Sequence, residues 1–194
     1  MLRVSTGARQ NREKASRFAI LGMLALGKKA SGYDLKKAIA ASTANFWSES
    51  YGNIYPTLKW LLAEDAIQRE RSVKPANNRS KQLYSITEKG KIALRDWLRQ
   101  PPAVQTEDNE LLLKLFFGTM MSSDQARELV RCHSDHHSAL LRKFKVIEKS
   151  ISTGPASEKQ KIYMRATLQY GQAVSRALIE WSSATEKALR ALKP

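Results

Sequence analysis

Residues 49–65 read ESYGNIYPTLKWLLAED. From Ile54 onward the stretch predicts an amphipathic helix, because Ile54, Leu58, Leu61 and Leu62 recur at helical spacing. Gly52 and Pro56 both weaken a helix interior. They fall near its front end, the end that the second helix of a helix-turn-helix docks against DNA. There Gly52 lets backbone approach a ligand closely. Ser50 can cap the helix, and helix N-terminal amides together with the positive end of the dipole favour a phosphate. Asn53 carries a donor and an acceptor together, which suits an adenine edge. Tyr51 and Tyr55 can donate to phosphate or stack. Pro56 allows two readings. Either the helix starts at Tyr51 and the proline tilts its first turn away from the remaining axis, or the helix starts at Pro56, a residue suited to the first helical position.

Working outward, RFAILGMLAL (17–26) is apolar nearly all round. It predicts a short buried helix capped by Ser16 and ended by Gly27. Ser31 and Asp34 have near-capping-box spacing and open a second helix with Leu35, Ala38 and Ile39 on one face. On the other side, IQRERSVK (67–74) and KQLYSI (81–86) read as strands, and PANNRS (75–80) between them has hairpin-loop chemistry. The hairpin offers Lys74, Arg79 and Lys81 to phosphates or an adjacent groove. Thr87 caps a fourth helix that stops at Pro101 and Pro102. Three helices, a basic hairpin and a helix over residues 16–100 describe a winged helix-turn-helix domain. Residues 1–15 have the Arg-rich, acid-poor bias of an organelle transit peptide, and read more simply as a disordered basic arm.

PPAVQTEDN (101–109) is a polar linker, and residues 110–194 predict only helices. Ser122 and Gln125 form a capping box for a long helix to about Ile151. Its seam runs Ala126, Val130, His133, His137, Leu140, Phe144, Ile147, Ile151. A last helix runs from about Glu158 to Leu192, with a seam of Thr167, Tyr170, Val174, Ala177, Trp181, Ala184, Ala188 and Ala191. The alternating steps of three and four match a coiled-coil-like repeat, and long helices with wide apolar faces need partners. Tyr170, Val174, Ala177, Trp181, Ala184 and Ala188 are therefore the expected dimerisation residues. The expected fold is mainly α: an N-terminal winged helix-turn-helix followed by an α-helical dimerisation domain (110–194).

The 194 residues carry 33 Lys and Arg against 18 Asp and Glu, a formal charge of +15. Residues 1–100 hold 19 of the basic and 8 of the acidic residues, so a polyanionic partner should meet the first half. The single Cys132 excludes an intramolecular disulfide and fits a reducing compartment, hence a cytoplasmic location. No apolar run reaches transmembrane length. No nucleophile–base pair, phosphate loop or carboxylate pair argues for catalysis or a cofactor. In CHSDHH (132–137), His133 and His137 share a helix face, but Cys132 and His136 point elsewhere and no Glu stands between the histidines as in a zinc-protease helix. They read as ordinary helix residues or a pH-sensitive packing pair, not a metal site. Phe46 and Trp47, with Tyr51 or Trp97, are the candidate lining of an effector pocket.

SGYDLKK, FWSESYGNIYPTLKWL, KQLYSITEKGKIALRDWL and ELLLKLFFG resemble, in this order and spacing, the PadR-family transcriptional regulators. The C-terminal helices resemble the branch that includes virulence-gene activators. The resemblance implies a homodimeric bacterial DNA-binding protein whose DNA-facing positions are Ser31, Gly32, Tyr33, Ser50 to Tyr55, Arg79 and Lys81. Some members are repressors relieved by small aromatic molecules such as phenolic acids. Two features depart from the pattern. Ala66 stands where the family usually has Gly after the third helix, and the sixteen residues before the first helix are more than usual. The competing function is a protein-interaction module that binds an acidic partner.

Overall fold

The computed structural model describes residues 3–27, 29–43, 46–70, 82–103 and 109–192. It divides into two units, Met1–Thr106 and Glu107–Pro194. The first holds α1 (Arg3–Leu26), α2 (Gly32–Ser42), α3 (Tyr51–Ala63), β1 (Ile67–Glu70), β2 (Leu83–Ile86) and α4 (Glu88–Arg99). That order is the expected winged helix-turn-helix. Leu35 of α2, Ile54, Leu58 and Leu61 of α3, and Ile20, Leu21 and Leu24 of α1 form one core with Ala66 and Ile67. Each such aliphatic side chain contributes about 1.5–3 kcal/mol by leaving water.

The basic arm is corrected: residues 3–15 are the first half of α1. Ala8, Arg9, Gln10, Arg12, Glu13, Lys14 and Ala15 include strong helix formers, and no proline interrupts them. Ser16 is likewise not an N-cap, since its buried hydroxyl donates back to the Arg12 carbonyl (3.0 Å) from within the helix. The start of α3 is also settled. Residues 51–55 are helical and Pro56 lies inside the helix, so the start at Pro56 is excluded.

The missing glycine after α3 has a structural answer. Asp65 takes the left-handed conformation (φ 53°), and the Ala66 N–H donates to Leu61 O (2.9 Å) while Asp65 N–H donates to Leu62 O (3.1 Å). This is a Schellman ending with aspartate in the glycine's role, which its short polar side chain tolerates. Ala66 is then buried, and its carbonyl faces α4 so closely that a Cβ on Gly90 would collide with it.

β1 and β2 pair antiparallel, with Ile67 opposite Ile86 and Glu70 opposite Leu83. Ala30 adds an isolated bridge to Tyr84. The hairpin residues Lys74, Arg79 and Lys81 lie outside the described residues. At the described end of β1, Glu70 accepts from Lys29 (2.6 Å), Ser85 (2.5 Å) and Gln68 (3.3 Å). The Lys29 hydrogen bond first, then Ser85 and Gln68, hold its carboxyl down at about 2. A depressed folded value means that the stabilisation is complete above the ordinary carboxylate range and is lost as pH falls towards 2. Glu70→Gln is therefore expected to melt less steeply with acid than the parent between pH 5 and 2. Parallel acid melts of the two chains would contradict this.

The second unit holds α5 (Glu110–Phe116), a 3-10 turn at Gly118–Met120, α6 (Ser123–Thr153) and α7 (Glu158–Arg190). Asn109 caps α5, and Ser122–Gln125 and Ser157–Gln160 form capping boxes on the two long helices. The α6 seam packs as expected: Ala126, Val130, Phe144 and Ile151 are buried. The expected α7 seam does not face α6. Against α6 this helix buries Leu168, Ser175 and Ser182, seven residues apart, and of the expected seam only Trp181 is partly covered. Leu168 belongs to a second apolar set on α7, with Leu178, Ile179 and Leu189; the serines beside it carry no apolar signal and are small enough to admit the two histidines opposite.

Candidate nucleic-acid interface

In the first unit the N-terminus of α2 meets α3 at Tyr55 and Leu58. Ser31 caps α2 by accepting from Asp34 N (3.2 Å), and Asp34 Oδ2 accepts from Ser31 N (3.1 Å). The next residue, Gly32, is buried beneath α3: a Cβ there would stand 2.9 Å from Tyr55 Cε1 and 3.3 Å from Leu58 Cδ1. Gly32 thus sets the close crossing of the pair. Tyr33 and Tyr55 each remain 53% exposed beside it.

The entry to α3 is built differently from the other caps. Ser50 has the extended cap conformation (φ −90°, ψ 160°), but its side chain makes no cap hydrogen bond. Its carbonyl instead accepts from Asn53 N and Ile54 N (both 3.1 Å). By contrast, Ser31, Thr87, Asn109, Ser122 and Ser157 all close their helices with a side-chain oxygen. First-turn amides left without such a cap are the groups an anion meets at a helix N-terminus. Tyr51 occupies the first helical position. Gly52 is exposed, and a Cβ on it would touch only Ser50 Oγ at 3.6 Å, so the fold itself does not require glycine there. Pro56 has no N–H, so the Gly52 carbonyl loses its usual helical donor. Thr57 answers one turn on, its hydroxyl donating to Asn53 O (2.7 Å).

Asn53 is exposed and held from behind. Glu49, only 8% exposed, accepts from Trp47 Nε1 (2.9 Å) through one oxygen and from Asn53 Nδ2 (3.4 Å) through the other. One N–H of the amide and its Oδ1 are left, the pair that an adenine edge requires. The carboxylate also sits at the positive end of α3. Sequence reading passed over Glu49; its place just before the cap, between Trp47 and Asn53, was the signal to follow. Arg12 was missed as well, because residues 1–15 were read as unstructured. It donates to Ser48 O (3.4 Å) and lies over the Trp47 ring (5.8 Å), and further along the same helix Arg17 covers Trp60 (3.7 Å).

The candidate effector residues have separate partners. Trp97 stacks flat on Phe18 (centroids 4.7 Å apart, planes 6° apart), whereas Trp47 is engaged by Glu49 and Arg12. Phe46 is exposed beside Trp47. In the second unit His133 Nδ1 meets Ser182 Oγ (3.5 Å) and His137 Nδ1 meets Ser175 Oγ (3.3 Å). Burial first, then neighbouring histidines, lowers the pKa of both rings. The described residues contain no group of three His, Cys, Asp or Glu placed to hold a metal ion, and no helix long and apolar enough to cross a membrane.

Comparison with known proteins places both units. Residues 20–96 match the transcriptional regulator PadR-like family, and residues 109–190 match the virulence activator alpha C-terminal family. Over residues 20–96 the chain is thus similar to PadR-like regulators. Over 116 residues it is 34% identical to the negative transcriptional regulator PadR of Bacillus subtilis, a match spanning 59% of this chain and 63% of that protein. The fold agrees over more of the length. Bacillus subtilis PadR in complex with operator DNA superimposes with a TM-score of 0.78 at 27% identity, covering 90% of this chain and 99% of the other. The same protein in complex with p-coumaric acid gives 0.73 at 26%, covering 90% and 98%. The Vibrio cholerae virulence activator AphA gives 0.72 at 28%, covering 91% and 99%. These PadR-like relatives are regulators of transcription, not enzymes.

Proposed function

We propose that the chain is a cytoplasmic, sequence-specific DNA-binding regulator that acts as a homodimer on a pseudo-palindromic operator. One observation carries this reading: the uncapped entry of α3 presents Gly52 and a braced Asn53 outward, beside the N-terminus of α2. Ser31, buried and committed to Asp34, stands outside the contact set; Tyr33, Ser50, Tyr51 and Tyr55 set register on phosphates, and Asn53 reads a base edge. Lys74, Arg79 and Lys81 of the wing add phosphate contacts. Two protomers, joined through α7, present their recognition helices to half-sites about one helical turn, ~10 bp, or a multiple of it apart.

The chain acts as a repressor released by a small aromatic effector, received at Phe46 and Trp47. Support comes from the Bacillus relative, a negative regulator also seen with p-coumaric acid. A gel-shift titration of genomic fragments against excess random competitor, with and without a panel of phenolic acids, tests the whole. A competitor-resistant fragment, released by one acid, is the expected result. Loss of every shift to competitor would point to a protein partner for the basic surface, and a shift indifferent to all the acids would remove the effector.

Gly52→Ala separates folding from binding. Alanine fits the internal space and favours the helix by about 0.5–1 kcal/mol. The melting temperature should rise slightly while operator affinity falls, because the new methyl stands where the duplex backbone approaches. Unchanged affinity in a stabilised variant would remove Gly52 from the interface.

A further inference from the structure

We propose that the α6–α7 pair is closed by a histidine latch that loosens in mild acid. His133 and His137 of α6, set against two buried serines of α7, hold the pair fully only while both rings are neutral. The latch stands apart from the DNA-binding reading and holds or fails whether or not a duplex binds.

The buried hydroxyls set its chemistry. Ser175 and Ser182 are 2% and 1% exposed, so each hydroxyl hydrogen needs an acceptor within the protein. Among the described residues the imidazoles are the hydrogen-bond partners of both: Ser175 Oγ lies 3.3 Å from His137 Nδ1, and Ser182 Oγ lies 3.5 Å from His133 Nδ1. A neutral ring that carries its hydrogen on Nε2 accepts at Nδ1. A charged ring carries hydrogens on both nitrogens and accepts nothing, which leaves a buried hydroxyl hydrogen unpaired.

Crowding acts in the same direction. The His133 and His137 rings are 4.6 Å apart, the His136 ring is 5.3 Å from that of His137, and Trp181 stands edge-on to His133 at 5.8 Å. Charge on one ring therefore opposes charge on the next. Among the described residues no acid is paired with either ring. On α6, Glu128 is engaged by Arg131 (3.2 Å) and Cys132, Asp124 is paired with Arg127, and Asp135 is exposed. On α7, Glu186 lies one turn beyond Ser182 and is held by Arg190 (2.6 Å) and Arg131 (3.7 Å), while Arg176 and Glu180 are exposed. α5 also packs on α6, and its Glu110 is bound to Lys114 (2.7 Å). Burial first, and then the neighbouring histidines, keep both rings below the ordinary histidine range. A lowered histidine leaves the unfolded chain to take up protons first. Stability is then complete above about pH 6.5 and falls as the pH drops below it.

The chain has three histidines, all in this cluster, so a change between about pH 7.5 and 5.5 reads no histidine elsewhere. Thermal melts of the full chain, followed by helical circular dichroism, test the latch; α6 and α7 report strongly there, with 31 and 33 residues. The melting midpoint of the parent should fall by several degrees across that range. Each ring can favour the opened state by at most about tenfold per pH unit. His133→Gln/His137→Gln keeps a polar side chain opposite each serine but cannot titrate, so its midpoint should stay level whatever its value at the alkaline end. A level parent, or a double variant that falls as steeply as the parent, overturns the latch. Ring-proton NMR of the parent decides without any substitution. At least two of the three imidazoles should take up protons only below the free-histidine range, and three rings that titrate as free histidine would overturn the latch as well.

Discussion

Asn53→Ala is expected to reduce the preference for operator over random DNA by roughly 10- to 100-fold, the value of one bidentate base contact. The melting temperature should stay close to that of the parent, since Asn53 is exposed and no core residue leans on it. Random-sequence binding should hardly change, because it depends on phosphate contacts made elsewhere. Glu49→Gln sharpens the test. The substitution keeps the size of the brace but removes the charged acceptor that holds both the Trp47 indole and the Asn53 amide. Charge-assisted hydrogen bonds are roughly twice as strong as neutral ones, so the amide should become less well oriented. Discrimination should then fall in the same direction as for Asn53→Ala, by less. Competition gel shifts with one operator and one scrambled duplex read both effects. An Asn53→Ala chain that loses operator and random binding in equal proportion would show that residue 53 only helps to grip the backbone.

Much of the fold was legible because each element announced its ends. Ser31, Thr87, Ser122 and Ser157 stand three residues before an acceptor or backbone donor that they engage, and each starts a helix. Pro101 and Gly154 fall where helices have ended. The failures share one physical origin: side chains that look polar in sequence but are satisfied by their surroundings. Ser16 resembles a cap, yet its hydroxyl bonds to the Arg12 carbonyl inside a longer helix. Ser175 and Ser182 resemble a solvated face, yet they lie buried opposite His137 and His133. Glu49 reads as an exposed acid until Trp47 and Asn53 close on it. A periodic reading counts apolar residues, and none of these carries an apolar signature.

The recognition end of α3 was legible for a different reason. Gly52 and Pro56 violate helix propensity where nothing in the fold demands it: a Cβ would fit at 52, and the helix runs through 56 regardless. Gly90 and Gly32 are the contrast. Both are required by close internal approach, to Ala66 and to Tyr55. A glycine without an internal reason, on an exposed helix start, points outward to a partner.

The largest effect should come from the second unit. Val174→Asp is expected to turn a dimer into a monomer and to cost operator affinity by about 10²–10⁴, the range of avidity forfeited when two linked sites become one. Val174, Tyr170 and Ala177 are exposed on α7, away from the Leu168, Ser175 and Ser182 face that packs on α6. An aspartate there leaves the intrachain helix pair intact, so the variant should keep its helical circular dichroism. The same unit also exposes Phe116, Met120, Ile162 and Tyr163. A monomeric surface rarely leaves so much apolar area uncovered without a partner. In a self-complementary interface one carboxylate per chain enters twice, against apolar neighbours that cannot hydrogen-bond it. Light scattering would report the halved mass, and gel shift the missing operator complex. Random DNA, which needs no half-site spacing, should lose much less than operator. A helical Val174→Asp chain that remains dimeric would move the interface off this face of α7. One that is monomeric yet binds operator as the parent does would mean that a single recognition helix suffices.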